Sequence, residues 1–134
     1  MKIIKRILKL ASAALLIHVA GASAAPMEGP NAGLFVNGGI GLEGRQTMHA
    51  QRQHYNLHLR FVQARTGEYL AGVGVAIAPQ ARKKGSLYFE DAGPWLYVRL
   101  RPGSYRITAM AEGRKQVRNV TVGKSHTDVV IYWR

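Results

Sequence analysis

The side chains with most chemical potential in this chain are His49, His54, His58 and His126, the run Ser125-His126-Thr127-Asp128, and the adjacent acids Glu90 and Asp91. Two imidazoles hold a metal when both reach one ion at about 2.1 Å. On a strand His54 and His58 share a face, but four residues at about 3.3 Å each separate them by roughly 13 Å. The alternation that begins at Tyr55 argues against a helix that would bring them together, so these histidines are expected to be exposed or hydrogen-bonded. Ser125, His126 and Asp128 supply nucleophile, base and orienter types, yet a triad works by convergence in space beside oxyanion donors, which sequence adjacency does not provide. Turn and strand-start chemistry is their expected role. Glu90 and Asp91 lack the second, separated carboxylate that glycoside hydrolysis uses. Gly38-Gly39-Ile40-Gly41 lacks a strong preceding strand, a third correctly spaced glycine and a Lys-Ser/Thr, and so falls short of both nucleotide fingerprints. With no cysteine in the chain, disulfides, thiolate zinc sites and thiol nucleophiles are excluded. No cofactor or metal is expected, and a hydrolase is a remote alternative with no convergent site.

A binding surface is the stronger candidate. Leu96, Val98 and Leu100 alternate with Trp95, Tyr97 and Arg99, and Tyr105, Ile107 and Ala109 alternate with Arg106, Thr108 and Met110. Joined through Arg101-Pro102-Gly103-Ser104, a type II turn by composition, the two runs read as the most regular hairpin of the chain. Its outer face would carry Trp95, Tyr97, Arg99 and Arg106, with Arg101 in the adjoining turn. Exposed aromatics beside guanidinium groups suit a sugar, an anionic polymer or a partner protein. The competing reading has residues 26–54 packed over Trp95, with the Tyr and Arg side chains acting as ordinary cross-strand pairs.

The elements that must position these residues are nearly all strands. Two-residue alternation marks Tyr55–Phe61, Tyr69–Ala78, Leu87–Phe89, Leu96–Leu100, Tyr105–Met110, Val117–Val122 and Asp128–Trp133, joined by short polar turns. Gly72 and Gly74 on one face of the second run predict a bulge or a close backbone approach. A further strand at Leu34–Val36 is available. Glu43–His54 predicts a short helix without a sustained apolar stripe. Parallel βαβ units have no place, because no long helix separates the strands. The expected fold is mainly β, an antiparallel sandwich of about seven strands.

The chain has 134 residues and a formal charge of +12, which suits one modest domain. Lys2, Lys5, Arg6 and Lys9, the apolar Leu10–Ala20 and the small-residue site Ala22-Ser23-Ala24 together read as a secretory signal peptide over residues 1–24. Its 16-residue uncharged stretch, Leu10–Ala25, is short of the ~20 residues a spanning helix needs, so the mature chain is expected to have none. Four of the 19 basic residues and none of the seven acidic ones lie in that segment, leaving +8. Residues 25–54 then form a Gly-rich lead-in with the short helix, and 55–134 the folded domain.

Tyr69-Leu-Ala-Gly-Val-Gly-Val, Asp91-Ala-Gly-Pro-Trp-Leu, Leu100-Arg-Pro-Gly-Ser-Tyr-Arg-Ile-Thr-Ala and the Glu112-Gly113 turn resemble the carboxypeptidase regulatory-like domain over about residues 55–134. The resemblance implies a transthyretin-like (prealbumin-like), seven-stranded Greek-key sandwich without catalytic activity. It is nearest to the small, stand-alone exported proteins of Gram-negative bacteria. Arg82-Lys83-Lys84 departs from the family pattern and makes the middle connection unusually basic. The expectation is therefore a non-enzymatic periplasmic or secreted protein that contacts an anionic or carbohydrate envelope component. The alternative is an accessory subunit that lends a sheet edge to a secreted or membrane protein. Nucleic acid is not an expected partner for an exported chain.

Overall fold

The computed structural model describes residues 34–81 and 85–134. The expected signal peptide over residues 1–24, the lead-in up to residue 33 and the Arg82-Lys83-Lys84 cluster lie outside the described residues. Along the chain come β1 (Phe35–Gly38), α1 (Gly41–Gln51) with a 3-10 turn at Arg52–His54, β2 (Leu57–Gln63), β3 (Val73–Pro79), β4 (Leu87–Ala92), β5 (Trp95–Val98), β6 (Gly103–Ala111), β7 (Arg114–Val122) and β8 (Thr127–Trp133). The strands form two four-stranded sheets, ordered β1-β5-β2-β8 and β4-β3-β6-β7.

Alternation accounts for the core. Leu57, Leu59 and Phe61 of β2, Leu96 and Val98 of β5, and Ile131 and Trp133 of β8 face Val73, Val75 and Ile77 of β3 and Ile107 and Ala109 of β6, all buried in one cluster. Each large apolar side chain removed from water contributes about 1.5–3 kcal/mol. Near Gly72 and Gly74 the register shifts between Val73 and Val75, but the extra residue lies in β4, where the step from Phe89 to Ala92 opposes that from Val75 to Val73. Eight strands are described, because Phe35–Gly38 joins the edge of the first sheet through β5. The lead-in is thus part of the sandwich from residue 34 onward.

Two expectations need correction. The sheets are not wholly antiparallel: β2 and β8 run parallel, in register from Leu57 with Thr127 to Gln63 with Trp133. The 95–100 and 105–110 runs are also not a hairpin. β5 pairs with β1 and β2, whereas β6 pairs with β3 and β7, so the Arg101-Pro102 connection crosses from one sheet to the other. Tyr105 fixes that crossing, its hydroxyl donating to the Arg101 carbonyl at 2.6 Å. Asn56 holds it from the other side, accepting from the Leu100 N–H at 2.8 Å and donating to the Leu100 carbonyl at 2.7 Å. The regular hairpin is β6–β7. Its two-residue loop, Glu112-Gly113, has φ of 52° and 70°, the double positive φ of a type I′ turn.

Candidate functional site

Register alignment sets out the outer face of the first sheet in rows across β1, β5, β2 and β8. One row reads Val36, Tyr97, His58, Asp128, and the next reads Gly38, Trp95, Arg60, Val130. The helix α1 and its 3-10 turn lie over the first row. Met48 (2% exposed), Tyr55 and Tyr97 form a second small core with Val36 and Trp95 packed against it. The sequence placed His58 on a polar strand face, yet it is 1% exposed because that face is roofed.

Every polar atom of the buried His58 ring is engaged. Nε2 lies 2.9 Å from the Tyr55 carbonyl and 3.0 Å from that of Arg52; carbonyls only accept, so Nε2 donates. Nδ1 meets Asp128 Oδ1 at 3.2 Å, and the other carboxylate oxygen accepts from Arg52 at 2.5 Å. The His126 ring stands edge-on, 5.0 Å from that of His58. Asp128 therefore fastens the 3-10 turn to β2, and it orients no base for Ser125. With Nε2 turned to two carbonyls and Nδ1 against the Asp128 carboxylate, neither ring nitrogen of His58 is open to a metal or a substrate. Among the described residues no group of three metal-ligating side chains occurs.

The five residues proposed as a surface are dispersed. Tyr97 is buried under α1, and burial pushes its phenol above the usual tyrosine value, against the opposing guanidinium charges of Arg52 and Arg60. Trp95 is half-buried and boxed in. Tyr97 stacks at 6.2 Å, the edge of Tyr69 lies at 5.9 Å, and a Cβ at Gly39 would come within 2.8 Å of its ring. The N-terminal segment thus covers it, the competing reading of the sequence. Arg99 is exposed, but its Nε donates to the His54 carbonyl at 2.9 Å and its guanidinium lies over Tyr55 at 5.7 Å. Arg101 is exposed in the crossing, and Arg106 lies on the outer face of the other sheet.

Two surfaces that the sequence did not single out take their place. At the rim of the covered region, Arg45 of α1 lies 5.6 Å over exposed Tyr69, and Arg60 of β2 lies 5.9 Å over Trp95. Among the described residues only Arg52 forms a guanidinium–carboxylate pair, so Arg45 and Arg60 keep their charge uncompensated. Their placement over these rings depends on the β2–β5 register and on the course of α1, which no local pattern encodes. The second surface is a cleft of about 560 Å³ between the edge strands β1 and β4, with Phe35, Leu87 and Phe89 as floor and Glu90 and Asp91 at the rim. Glu90-Asp91 was visible in the sequence as the sole adjacent acid pair; its cleft was not. No helix among the described residues is long and apolar enough to cross a membrane. No protein-family model and no curated protein matches the chain.

Proposed function

We propose that this is a non-enzymatic, exported β-sandwich of the carboxypeptidase regulatory-like, transthyretin-like kind that binds an anionic component of a bacterial envelope. The strand order supports the Greek-key part of this reading. In the first sheet every pair of neighbours is non-sequential, and in the second β3 lies beside β6, as when a chain passes between two sheets. The basic n-region, apolar stretch and Ala22-Ser23-Ala24 site support export. The observation that carries the binding reading is the uncompensated pair Arg45 and Arg60, each held over an aromatic ring on the rim of α1. Planar, weakly hydrated guanidinium is suited to phosphate and carboxylate groups.

Retention of the full chain on immobilised lipopolysaccharide tests this. At ~0.01 M salt, where the Debye length is ~30 Å, the protein should be retained; at ~1 M, where it is ~3 Å, it should elute. The Arg45→Ala/Arg60→Ala double variant should bind roughly ten-fold more weakly, about 1.4 kcal/mol for two half-buried, solvent-screened charge contacts. Equal retention of variant and parent at low salt would remove this surface from the reading.

A further inference from the structure

We infer that the cleft between β1 and β4 accepts an extended peptide segment of another protein, one that alternates apolar and basic side chains, as an added strand on β4. This does not rest on the anion-binding reading above, and it uses the opposite charge.

Each sheet ends at this cleft, β1 being the last strand of one and β4 the last of the other. The far side of the sandwich is closed instead. There Trp133 Nε1 donates across to the Arg114 carbonyl at 3.1 Å, and the Arg114 guanidinium reaches the Arg134 carbonyl. On the open side Asn37 of β1 shows what the β4 edge can accept. Its amide nitrogen donates to the Asp91 carbonyl at 2.9 Å, while its amide oxygen accepts from the Gly93 N–H at 2.7 Å. A carboxamide carries the same donor and acceptor as a peptide unit, so Asn37 stands in for one residue of a neighbouring strand at that end. From Leu87 to Glu90 no such substitute is present among the described residues, and exposed edges of this kind template strand addition.

The side chains define the occupant. Phe35 and Phe89 meet edge-to-face at 4.8 Å and, with Leu87, give an apolar floor; Tyr88, 76% exposed, lies on the opposite face with Glu90. Alternate residues of an added strand would face that floor. The residues between them would face Glu90 and Asp91, which are exposed and form no ion pair among the described residues. In a chain of formal charge +12 these two adjacent acids make a local exception, complementary to lysine or arginine. A second copy of this chain is the poorer occupant, since pairing β4 with itself would bring two acidic strands together.

Fluorescence anisotropy of the full chain with labelled Lys-Val-Lys-Val-Lys-Val-Lys is the test. Its Glu-for-Lys analogue and an analogue with proline at the central valine should each bind about ten-fold more weakly, the first through charge and the second through a lost strand donor. Glu90→Lys/Asp91→Lys should invert the order, favouring the Glu peptide, an outcome that misfolding cannot produce. Arg45→Ala/Arg60→Ala should leave the Lys-peptide affinity unchanged, which separates the two sites. The inference is overturned by absence of saturable binding or by equal affinity for the three peptides. It is also overturned if the chain proves to be a dimer that Glu90→Lys/Asp91→Lys disperses.

Discussion

Replacing Asp128 by alanine should loosen the roof over the first sheet and destabilise the whole domain. Asp128 makes two contacts of different worth. The buried His58 Nδ1 meets it at 3.2 Å, and hydrogen bonds to charged groups contribute about 1.5–3 kcal/mol. The Arg52 contact joins side chains that are each about a third exposed, 34% and 38%, a class worth no more than ~1 kcal/mol. Together they predict a loss of about 2–3 kcal/mol, or roughly 10–15 °C in Tm for a domain near 100 residues. Thermal unfolding followed by circular dichroism measures the total. A double-mutant cycle with His58→Phe isolates the pair, whose coupling should reach at least ~1 kcal/mol, because Asp128→Ala leaves the buried His58 Nδ1 without its partner. A loss below ~0.5 kcal/mol for Asp128→Ala, or additive single effects, would show that the roof is held by Met48, Tyr55 and Tyr97 packing alone.

Two further outcomes follow from the same face. Burial raises the Tyr97 phenol above 10.0, so the folded protein holds that proton more tightly than the unfolded chain; stability is full below pH 10 and falls as pH rises toward the folded value. Urea midpoints at about pH 9 and about pH 11 should therefore diverge less for Tyr97→Phe than for the parent, and identical divergence would refute the assignment. Gly39→Ala places a Cβ 2.8 Å from the Trp95 ring at a backbone φ of +93°, and should cost about 2–4 kcal/mol in chemical denaturation; a neutral result would mean that the 39–41 segment can lift away from Trp95.

The strands were legible because a half-buried strand writes its period directly into the sequence, as at Leu57, Leu59 and Phe61 or Val73, Val75 and Ile77. Their partners were not. A run such as Trp95–Val98 alternates identically whether it pairs with β6 or with β2, so the apparent hairpin was a consequence of closeness in sequence. The same ambiguity dispersed the candidate surface, placing Arg106 on the other sheet and bringing Arg45 and Arg60 to the rim. His58 escaped for another reason. Polar residues on an outer face signal solvent only when nothing covers that face, and the covering helix, with Met48 as its one buried residue, carries almost no apolar stripe to announce it. The glycines of β3 marked the place of a register shift whose extra residue lies in the partner β4, and the Tyr105 contact behind Pro102-Gly103 is explicable from local chemistry, since it acts within four residues of its own position.

The parallel pairing of β2 with β8 has a consequence for how the protein is made. Residues 57–63 are among the first of the core to emerge during synthesis, and their neighbours at 127–133 are among the last. Closing that 70-residue separation is slow compared with forming the β6–β7 hairpin. Until it closes, β2 keeps one edge open and half of the core lacks Ile131 and Trp133. The β6–β7 hairpin is therefore expected to form before the β2–β8 pairing that completes the first sheet.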